Sequence, residues 1–279
     1  ADFVAVACGS TFSVGLRCDG SIVSWGTIAT GKPSDLSLTG RNFVAIASGS
    51  QHLVALRGDG TVATWGGLFC MENWDRVDGG FVAIASGCYH TVALRNDGSI
   101  VSWGRLCGES NDAPTGRNFV AIACGSGHSV ALRDDGRVVT WGNNKHGQRD
   151  DAPTCGGFVA IACGETHSVA LRHDGSVVTW GSIASGQRDD APTGAGFVAV
   201  ACGMTHTVGL RSDGAVVTWG GNLSGQRDDA PSNGDFVAIA CGFYNSVGLR
   251  TDGSLVTWGG NSEGQRDAAP TSGDFVAIA

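Results

Sequence analysis

A stretch of 24 residues recurs seven times along the chain, and its clearest copy is FVAIACGSGHSVALRDDGRVVTWG at residues 119–142. Each copy opens on Phe-Val-Ala, turns at Asp-Gly and ends on Trp-Gly, with 38 to 40 residues between equivalent positions. A fixed period of this size with several strands per copy is typical of a β-propeller or a solenoid. The Trp-Gly tryptophans are Trp25, Trp65, Trp103, Trp141, Trp180, Trp219 and Trp258.

Each copy has the pattern of consecutive antiparallel strands. Two apolar runs flank Asp135-Gly136, and Asp-Gly between such runs is a strong hairpin signal because both turn positions need positive φ. Runs rich in Val, Ile and Phe that are bounded by Gly-containing turns predict strands. In repeats 4 to 7 the segment after Trp-Gly is short and ends in Ala-Pro, which fits an outer edge strand where Pro is tolerated. The pattern predicts about four antiparallel strands per repeat.

The first strand of each copy favours a propeller over a solenoid. In residues 119–124 both faces are apolar, so this strand needs a neighbour on each side, as radial blades supply. We therefore predict an all-β, seven-bladed β-propeller with the first strands innermost. The repeats begin near residues 3, 43, 81, 119, 158, 197 and 236 and fill residues 1–279, which predicts a single domain.

The charge and composition narrow the classes of partner. The formal net charge is −8, whereas nucleic acids and anionic membranes are bound through clustered Lys and Arg. No apolar run approaches the ~20 residues of a membrane span. Forty-five glycines in a chain that is 42% hydrophobic indicate many tight turns rather than disorder. We expect neither nucleic acid nor a membrane as partner.

The repeat resembles that of the regulator-of-chromosome-condensation family, whose members are seven-bladed propellers. In the fourth copy the resemblance rests on Gly125, His128-Ser129, Ala131-Leu132-Arg133, Asp135-Gly136, Val138 and Trp141-Gly142. The compact period and the Gly-Gln…Ala-Pro segment are more similar to a secreted bacterial propeller that inhibits β-lactamases than to the longer-repeat nuclear exchange factor. The resemblance implies a propeller that recognises another protein through its loops.

One repeat slot, three residues after a Gly, holds a histidine in five copies: His52, His90, His128, His167 and His206. Phe12 and Asn245 fill it in repeats 1 and 7. Five histidines, one per blade, cannot converge on one metal ion at the ~2.0–2.1 Å of a Zn–N bond. We expect structural rings that bond to backbone and fix the loop, and no metal site. With no nucleophile elbow, zinc-type Cys pair or phosphate loop in the sequence, we also expect no catalytic residues, no cofactor and no enzyme activity.

Cysteine and arginine also recur in fixed slots. The shared cysteine slot contains Cys8, Cys124, Cys163, Cys202 and Cys241, with Ser48 and Ser86 in the other two repeats. Exchange between Cys and Ser indicates a small buried residue. Cys70, Cys88 and Cys107 fall in loops of two adjacent blades, and whether any pair forms a disulfide stays open because connectivity is not deducible from sequence. The Arg before each Asp-Gly is expected in a cross-turn or blade-to-blade ion pair rather than in a ligand clamp.

The differences between copies lie in two sets of loops, which follow the first strand and the Trp-Gly. In an antiparallel meander these loops emerge at the same end, whereas the Asp-Gly turns at the other end are nearly invariant. A uniform scaffold with one heterogeneous end indicates a binding surface, and its aromatic and Met residues are enriched in protein interfaces. The predicted partner-binding residues are Leu68, Phe69, Trp74, Tyr89, Leu106, Lys145, His146, Glu165, Met204, Leu223, Phe243 and Tyr244.

These patterns predict a monomeric, non-catalytic propeller that binds another protein through the heterogeneous end. Two alternatives stay open. The resemblance implies an exchange factor for a small GTPase, and the central channel of a propeller suits a glycan or small-molecule binder.

The strand at Phe275–Ala279 repeats Phe3–Ala7, so the two compete for the first-strand position of repeat 1. We expect Phe3–Ala7 to hold it, because it leads directly into its own second strand. A chain that ends at Gly273 should then keep the melting temperature of the full chain, as measured by calorimetry. A large loss of melting temperature on truncation would instead identify Phe275–Ala279 as the closing strand.

Overall fold

The computed structural model describes residues 3–26, 41–66, 79–104, 113–262, 264, 266–267 and 278. These residues contain no helix of the length and hydrophobicity that a membrane crossing requires. Their strands, in chain order, are β1 (Phe3–Cys8), β2 (Phe12–Arg17), β3 (Ile22–Gly26), β4 (Phe43–Ser48), β5 (His52–Arg57), β6 (Val62–Gly66), β7 (Phe81–Ser86), β8 (His90–Arg95), β9 (Ile100–Gly104), β10 (Phe119–Cys124), β11 (His128–Arg133), β12 (Val138–Gly142), β13 (Phe158–Cys163), β14 (His167–Arg172), β15 (Val177–Gly181), β16 (Phe197–Cys202), β17 (His206–Arg211), β18 (Val216–Gly220), β19 (Phe236–Cys241), β20 (Asn245–Arg250) and β21 (Leu255–Gly259).

The three strands of each repeat form one sheet in sequence order, so the described residues contain seven three-stranded sheets, blades 1 to 7. In blade 5, β14 pairs antiparallel with both β13 and β15, and Leu171 lies opposite Val177 beside the turn. The glycines of the seven Asp-Gly turns have φ between +75° and +82°, which explains the need for Gly there. The seven Asp residues do not have positive φ, so the expectation of positive φ at both turn positions holds for the Gly alone. The predicted all-β, seven-bladed propeller is confirmed.

The predicted number of strands per blade is wrong, because the described residues form three where about four were expected. In repeat 4 the segment after Trp-Gly is a compact turn. The Asn144 side-chain oxygen accepts from the amides of Arg149 and Asp150 at 2.8 and 3.2 Å, and the Asp151 amide donates to the Gly147 carbonyl at 3.1 Å. These amides are used within the turn and are not available to a strand ladder. The matching segments of repeats 1 to 3 lie outside the described residues.

The chain divides into two compact units. Unit 1 comprises residues 1–134 and 141–143, and therefore holds blades 1 to 3 and the first two strands of blade 4. Unit 2 comprises residues 135–140 and 144–279, and holds blades 5 to 7. The single domain expected from the repeat stays a prediction.

In blade 1 the first-strand position belongs to the N-terminal copy, as predicted. β1 pairs antiparallel with β2, with Val6 opposite Gly15 and Cys8 opposite Ser13. Of the C-terminal copy, Phe275–Ala279, only Ile278 lies within the described residues, so the truncation result stays a prediction.

A β-bulge near the start of every first strand changes one expectation about burial. Between β10 and β11, Phe119 lies opposite Arg133 and Ala121 opposite Leu132, which leaves Val120 as the extra residue. Phe119 is buried, whereas Val120 is 55% exposed. The first strand is therefore not buried on both faces at this position. The other six repeats have an exposed valine at the same place: Val4, Val44, Val82, Val159, Val198 and Val237.

Neighbouring blades bury each other's apolar faces. In unit 1, Val14 and Leu16 of blade 1 pack in one cluster with Phe43 and Leu53 of blade 2. The Trp of Trp-Gly is buried in blades 3 to 7: Trp103, Trp141, Trp180, Trp219 and Trp258. Trp25 is an exception, 47% exposed, because it lies on the opposite face of blade 1 from the one that packs against blade 2.

The recurrent Arg packs over the Phe that opens its own repeat, with the guanidinium carbon 5.1–5.7 Å from the ring centre. This cation–π contact is seen for Arg17–Phe3, Arg57–Phe43, Arg95–Phe81, Arg172–Phe158, Arg211–Phe197 and Arg250–Phe236. Arg250 forms an ion pair, with Nε 3.3 Å from Asp235 Oδ1, but both residues belong to blade 7 and the pair does not cross the Asp-Gly turn, so it is not the cross-turn or blade-to-blade pair that was expected. The contact that recurs for this Arg is therefore packing against the Phe ring of its own blade, rather than an ion pair.

The slot histidines join one blade to the next. The ring Nε2 lies 2.8–3.0 Å from a hydroxyl of the following blade in the pairs His52–Thr91, His90–Ser129, His167–Thr207 and His206–Ser246. The histidines are structural, but their partner is a side-chain hydroxyl rather than the expected backbone. The Gly three residues earlier is required because a Cβ at Gly164 would collide with the His167 ring.

The protonation state of these rings follows from their surroundings. Nδ1 of His90, His167 and His206 is buried without a hydrogen-bond partner among the described residues. A proton on that nitrogen would leave a buried N–H unsatisfied, so the neutral ring carries its proton on Nε2 and donates it to the hydroxyl. Burial lowers the pKa of His52, His90, His167 and His206 from 6.5 to about 4.

Truncation of a buried Trp should destabilise the fold. We expect Trp141→Ala to lower the free energy of unfolding by about 3–5 kcal/mol, the usual cost of removing a large buried aromatic side chain. Urea unfolding followed by circular dichroism measures this. Leu223→Ala, at a side chain that is 96% exposed, is the control and should change the free energy by less than about 0.5 kcal/mol. Equal effects of the two variants would contradict the blade packing.

The histidine contacts make the fold sensitive to acid. Each ring is protonated in the unfolded chain below pH 6.5 but in the folded chain only below about 4, so stability is complete above pH 6.5 and is lost as pH falls towards 4. Each histidine adds about 1.4 kcal/mol per pH unit to this loss.

His206→Asn is a suitable test variant, because repeat 7 naturally has Asn245 at the position of the slot histidine. The slope of unfolding free energy against pH, from urea melts at about pH 5 and about pH 6, should decrease by up to about 1.4 kcal/mol per pH unit in this variant. An unchanged slope would show that His206 does not titrate in the way its burial requires.

Candidate functional site

In blades 4 to 7, where the structure describes both variable loops, the two loops lie at the same end, as the meander predicts. A backbone amide just after Trp-Gly donates to the carbonyl of the residue before the His slot, at 2.8–3.0 Å. The four bonds are Asn143 to Gly127, Ser182 to Thr166, Gly221 to Thr205 and Gly260 to Tyr244. We call this end of each blade, with the loop after the first strand and the segment after Trp-Gly, the variable end.

The opposite end of each blade is uniform. In blade 5 the Asp174 carboxylate accepts from the amide and the hydroxyl of Ser176 at 2.8 and 2.7 Å, and these hydrogen bonds lower its pKa below the usual range. The same two bonds close the turns at Asp19, Asp59 and Asp97. Because each Asp is used in closing its own turn, this end offers little that differs between blades.

Backbone hydrogen bonds align the first loops of neighbouring blades. In unit 1 the Ser50 amide donates to the Cys88 carbonyl at 3.2 Å, and the Cys88 amide donates to Ser126 at 3.0 Å. In unit 2 Glu165 donates to Met204 and Met204 to Phe243, both at 3.0 Å. The side chains in these positions therefore stand side by side, although 38 or more residues separate them in sequence.

Most of the predicted binding residues that the structure describes reach the surface. Tyr89, Phe243 and Tyr244 are 40%, 54% and 46% exposed, and Leu223 is 96% exposed. Lys145 and His146 are exposed, whereas Glu165 and Met204 are half-buried. Four predicted residues lie outside the described residues: Leu68, Phe69, Trp74 and Leu106.

One exposed apolar residue was missing from the predicted site. Ile183 is 57% exposed in the segment after Trp-Gly of blade 5. The equivalent position holds Asn in repeats 4, 6 and 7, as Asn144, Asn222 and Asn261. The replacement of Asn by Ile could have identified this residue from the sequence, because a large apolar side chain stands where the other repeats have an Asn that caps the turn.

The Gly-Gln-Arg-Asp segments hold the variable end in place. The buried Gln148, Gln187 and Gln226 each accept an amide from two residues earlier at 2.8–2.9 Å. Ion pairs then join each segment to the preceding one at 2.6–2.7 Å: Arg188 to Asp151, Arg227 to Asp190 and Arg266 to Asp229. The three ion pairs were not predicted, because the two residues of each pair lie 37 positions apart in the sequence.

Cysteine thiols and possible metal ligands are the remaining reactive groups among the described residues. Burial raises the pKa of the Cys163 and Cys241 thiols to about 12, so both stay protonated and unreactive at neutral pH. Cys88 is a free, half-buried thiol, while Cys70 and Cys107 lie outside the described residues. Within those residues no three His, Cys, Asp or Glu side chains are grouped so that they could hold a metal ion.

Solved structures with the same fold include two plant receptor-kinase ectodomains. The ectodomain of ACR4 from Arabidopsis thaliana is 23% identical with a TM-score of 0.69, over 91% of this chain and 93% of that chain. The entire ectodomain of CR4 from Physcomitrella patens is 24% identical with a TM-score of 0.68, over 91% of this chain and 73% of that chain. Yeast RCC1 (Prp20), solved bound to Kap60, is 20% identical with a TM-score of 0.61, over 78% and 70%. At these identities the likeness shows the fold.

The sequence itself carries the family assignment. No curated protein matches the chain. The profile of the regulator of chromosome condensation (RCC1) repeat matches residues 81–105, 119–148, 158–187, 197–226 and 236–265. Since these five segments cover more than half of the residues, the chain belongs to the regulator of chromosome condensation (RCC1) repeat family.

Proposed function

We propose that this chain is a non-catalytic module that binds another protein through the variable end of its blades. One observation carries the proposal: large apolar side chains are exposed at this end, in loops whose backbone is fixed. Phe243 and Tyr244 are each about half exposed, and their ring centres lie 6.4 Å apart. Exposed aromatic residues on a rigid frame are characteristic of protein-binding surfaces.

The fixed backbone strengthens this proposal. The Phe243 carbonyl accepts from Met204 and the Tyr244 carbonyl from Gly260, at 3.0 and 2.8 Å. The backbone that carries the two aromatic side chains is therefore held before a partner arrives, which reduces the loss of backbone entropy on binding. The solved complex of yeast RCC1 (Prp20) with Kap60 provides a precedent for a propeller of this fold bound to a protein.

The chain is proposed to act as a monomer. Its net charge of −8 gives copies a mutual repulsion, and light scattering at about 0.15 M salt would measure the mass directly.

Capture of a partner tests the proposed function. The full chain, immobilised, should retain a partner protein from a lysate of its own organism, identified by mass spectrometry. A second bait carrying Tyr89→Ala, Phe243→Ala and Tyr244→Ala should lose it, because removal of hot-spot aromatic residues costs about 2 kcal/mol or more of binding free energy, roughly 30-fold in affinity. The melting temperature of the two baits should agree.

A third bait separates binding from folding. It carries Tyr89→Thr, Phe243→Ser and Tyr244→Thr, which are residues that other repeats carry in the same slots, as at Ser126, Thr166 and Thr205. Equal capture by wild type and this bait would overturn the proposal. If the captured protein is a small GTPase whose nucleotide release the chain accelerates, the function is exchange. Retention of a soluble sugar alone would favour the glycan-binding alternative.

A further inference from the structure

Of the exposed apolar side chains in the described loops of the variable end, Leu223, Phe243 and Tyr244 lie on blades 6 and 7, both in unit 2, while Ile183 lies on blade 5 and Tyr89 on blade 3. Leu223 occupies a slot that holds Lys145, Ala184 and Ser262 in the other described repeats. Tyr244 occupies a slot that is Thr166 and Thr205 in the two preceding repeats. Leu223 and Tyr244 therefore differ from the residues of neighbouring repeats and are not part of the repeat pattern.

Gly260 brings the two blades together at this point. A Cβ at Gly260 would lie 3.1 Å from Tyr244 Cβ and 3.5 Å from Ser224 Cβ. Gly260 itself is buried, so the first loop of blade 7 and the turn of blade 6 close over it. Tyr244 and the Leu223-Ser224 turn thus lie on either side of a residue without a side chain. Phe243, the neighbour of Tyr244, extends the same surface.

The turn that carries Leu223 is firmly held. The buried Gln226 accepts the Ser224 amide at 2.9 Å, and Asn222 Oδ1 accepts the Arg227 amide at 2.8 Å. Leu223 nevertheless stays 96% exposed, so this chain does not gain the stabilisation that burial of a leucine side chain would contribute. A leucine fixed in water by its own turn is available to a partner at little conformational cost.

The charges around this surface are unbalanced. Arg227 and Arg266 are paired with Asp190 and Asp229 of the preceding segments at 2.6 and 2.7 Å. Asp228 belongs to the Leu223 turn, where its amide donates to Asn222 at 3.3 Å, and its carboxylate forms no ion pair within the described residues. Asp267 accepts only a neutral amide, Asn261 Nδ2, at 3.0 Å among those residues. Arg227 and Arg266 are thus paired with carboxylates, whereas Asp228 and Asp267 are paired with no cation among the described residues.

From this arrangement we infer that Leu223, Phe243 and Tyr244 form one anchor site across blades 6 and 7. Its occupant is a partner-protein segment with an uncharged apolar side chain flanked by Lys or Arg. The apolar side chain fits against the leucine and aromatic surface, and the flanking cations meet Asp228 and Asp267. The inference rests on the proposed function and specifies the chemistry of the partner. A second copy of this chain fits poorly, because its net charge has the same sign as the unpaired carboxylates.

A random 12-residue peptide library displayed on phage, panned against the immobilised full chain, tests the site. The enriched peptides should carry a Leu, Met or aromatic residue beside Lys or Arg. A synthetic copy of the best peptide should bind more weakly at higher salt, since exposed charge pairs are screened.

Repeat-derived variants then locate the peptide. The double variant Leu223→Ser, Tyr244→Thr introduces the residues found at the equivalent positions of other repeats, Ser262 in repeat 7 and Thr205 in repeat 6. It should weaken peptide binding at least 10-fold without a change in melting temperature. Asp228→Asn should reduce the salt dependence. Ala184→Ser, in the Leu223 slot of blade 5, is the matched control and should leave binding unchanged.

Three results would overturn the inference: no enrichment above an unrelated bait, enrichment of acidic peptides, or equal binding by the Leu223→Ser, Tyr244→Thr variant. If the chain binds sugars on a glycan array and the Tyr244→Thr variant does not, the surface is a sugar-binding site and the inference is wrong. If partner capture succeeds in the lysate experiment but is insensitive to this double variant, the proposed function stands and the anchor site is wrong.

Discussion

Burial between neighbouring blades is the interaction on which the rest of this structure depends. A three-stranded sheet has two faces, and a single repeat has nothing of its own with which to cover either. In unit 1 the Val14 and Leu16 side chains of one blade are buried by Phe43 and Leu53 of the next. Polar contacts also join neighbouring blades, because His52 bonds to Thr91 of the next blade and Arg227 pairs with Asp190 of the preceding one. Each repeat must therefore keep the same residues in the same slots.

This requirement explains why one end of each blade is free to vary. The loops at the variable end are linked between blades through backbone groups, as in the bond from the Met204 amide to the Phe243 carbonyl. Such a bond places no demand on the side chain beyond the exclusion of Pro as the donor. At the opposite end the Asp174 side chain is itself part of the turn, so it cannot be exchanged without loss of its two hydrogen bonds. The division between constant and variable residues thus follows from which atoms make the contacts.

The sequence predicted what is encoded locally. Strands, Asp-Gly turns and the seven-fold repeat depend on residues a few positions apart, and they were predicted correctly. The partner of the slot histidine was not, because His167 bonds to Thr207, 40 residues away, and periodicity shows that a slot matters without showing what it touches. The Gly-Gln-Arg-Asp segment was taken for a fourth strand, since its Pro suggested an edge, whereas Asn144 caps its amides in a turn. Exposure of Tyr89, Phe243 and Tyr244 was predictable from their departure from the repeat.

Contiguity of the apolar surface on blades 6 and 7 could not be predicted, because it depends on a residue with no side chain. Gly260 follows Trp-Gly in blade 7, where blade 5 has Ser182 and blade 4 has Asn143. A Cβ in this slot would lie 3.1 Å from Tyr244 Cβ, which is crowded, and 3.5 Å from Ser224 Cβ, which is ordinary contact, so a side chain here would alter the fit between the Tyr244 loop and the Ser224 turn. The residue in this slot therefore affects how closely the first loop of blade 7 approaches the turn of blade 6. Recognition in such a repeat is set by small residues between the loops as much as by the large residues that the loops expose.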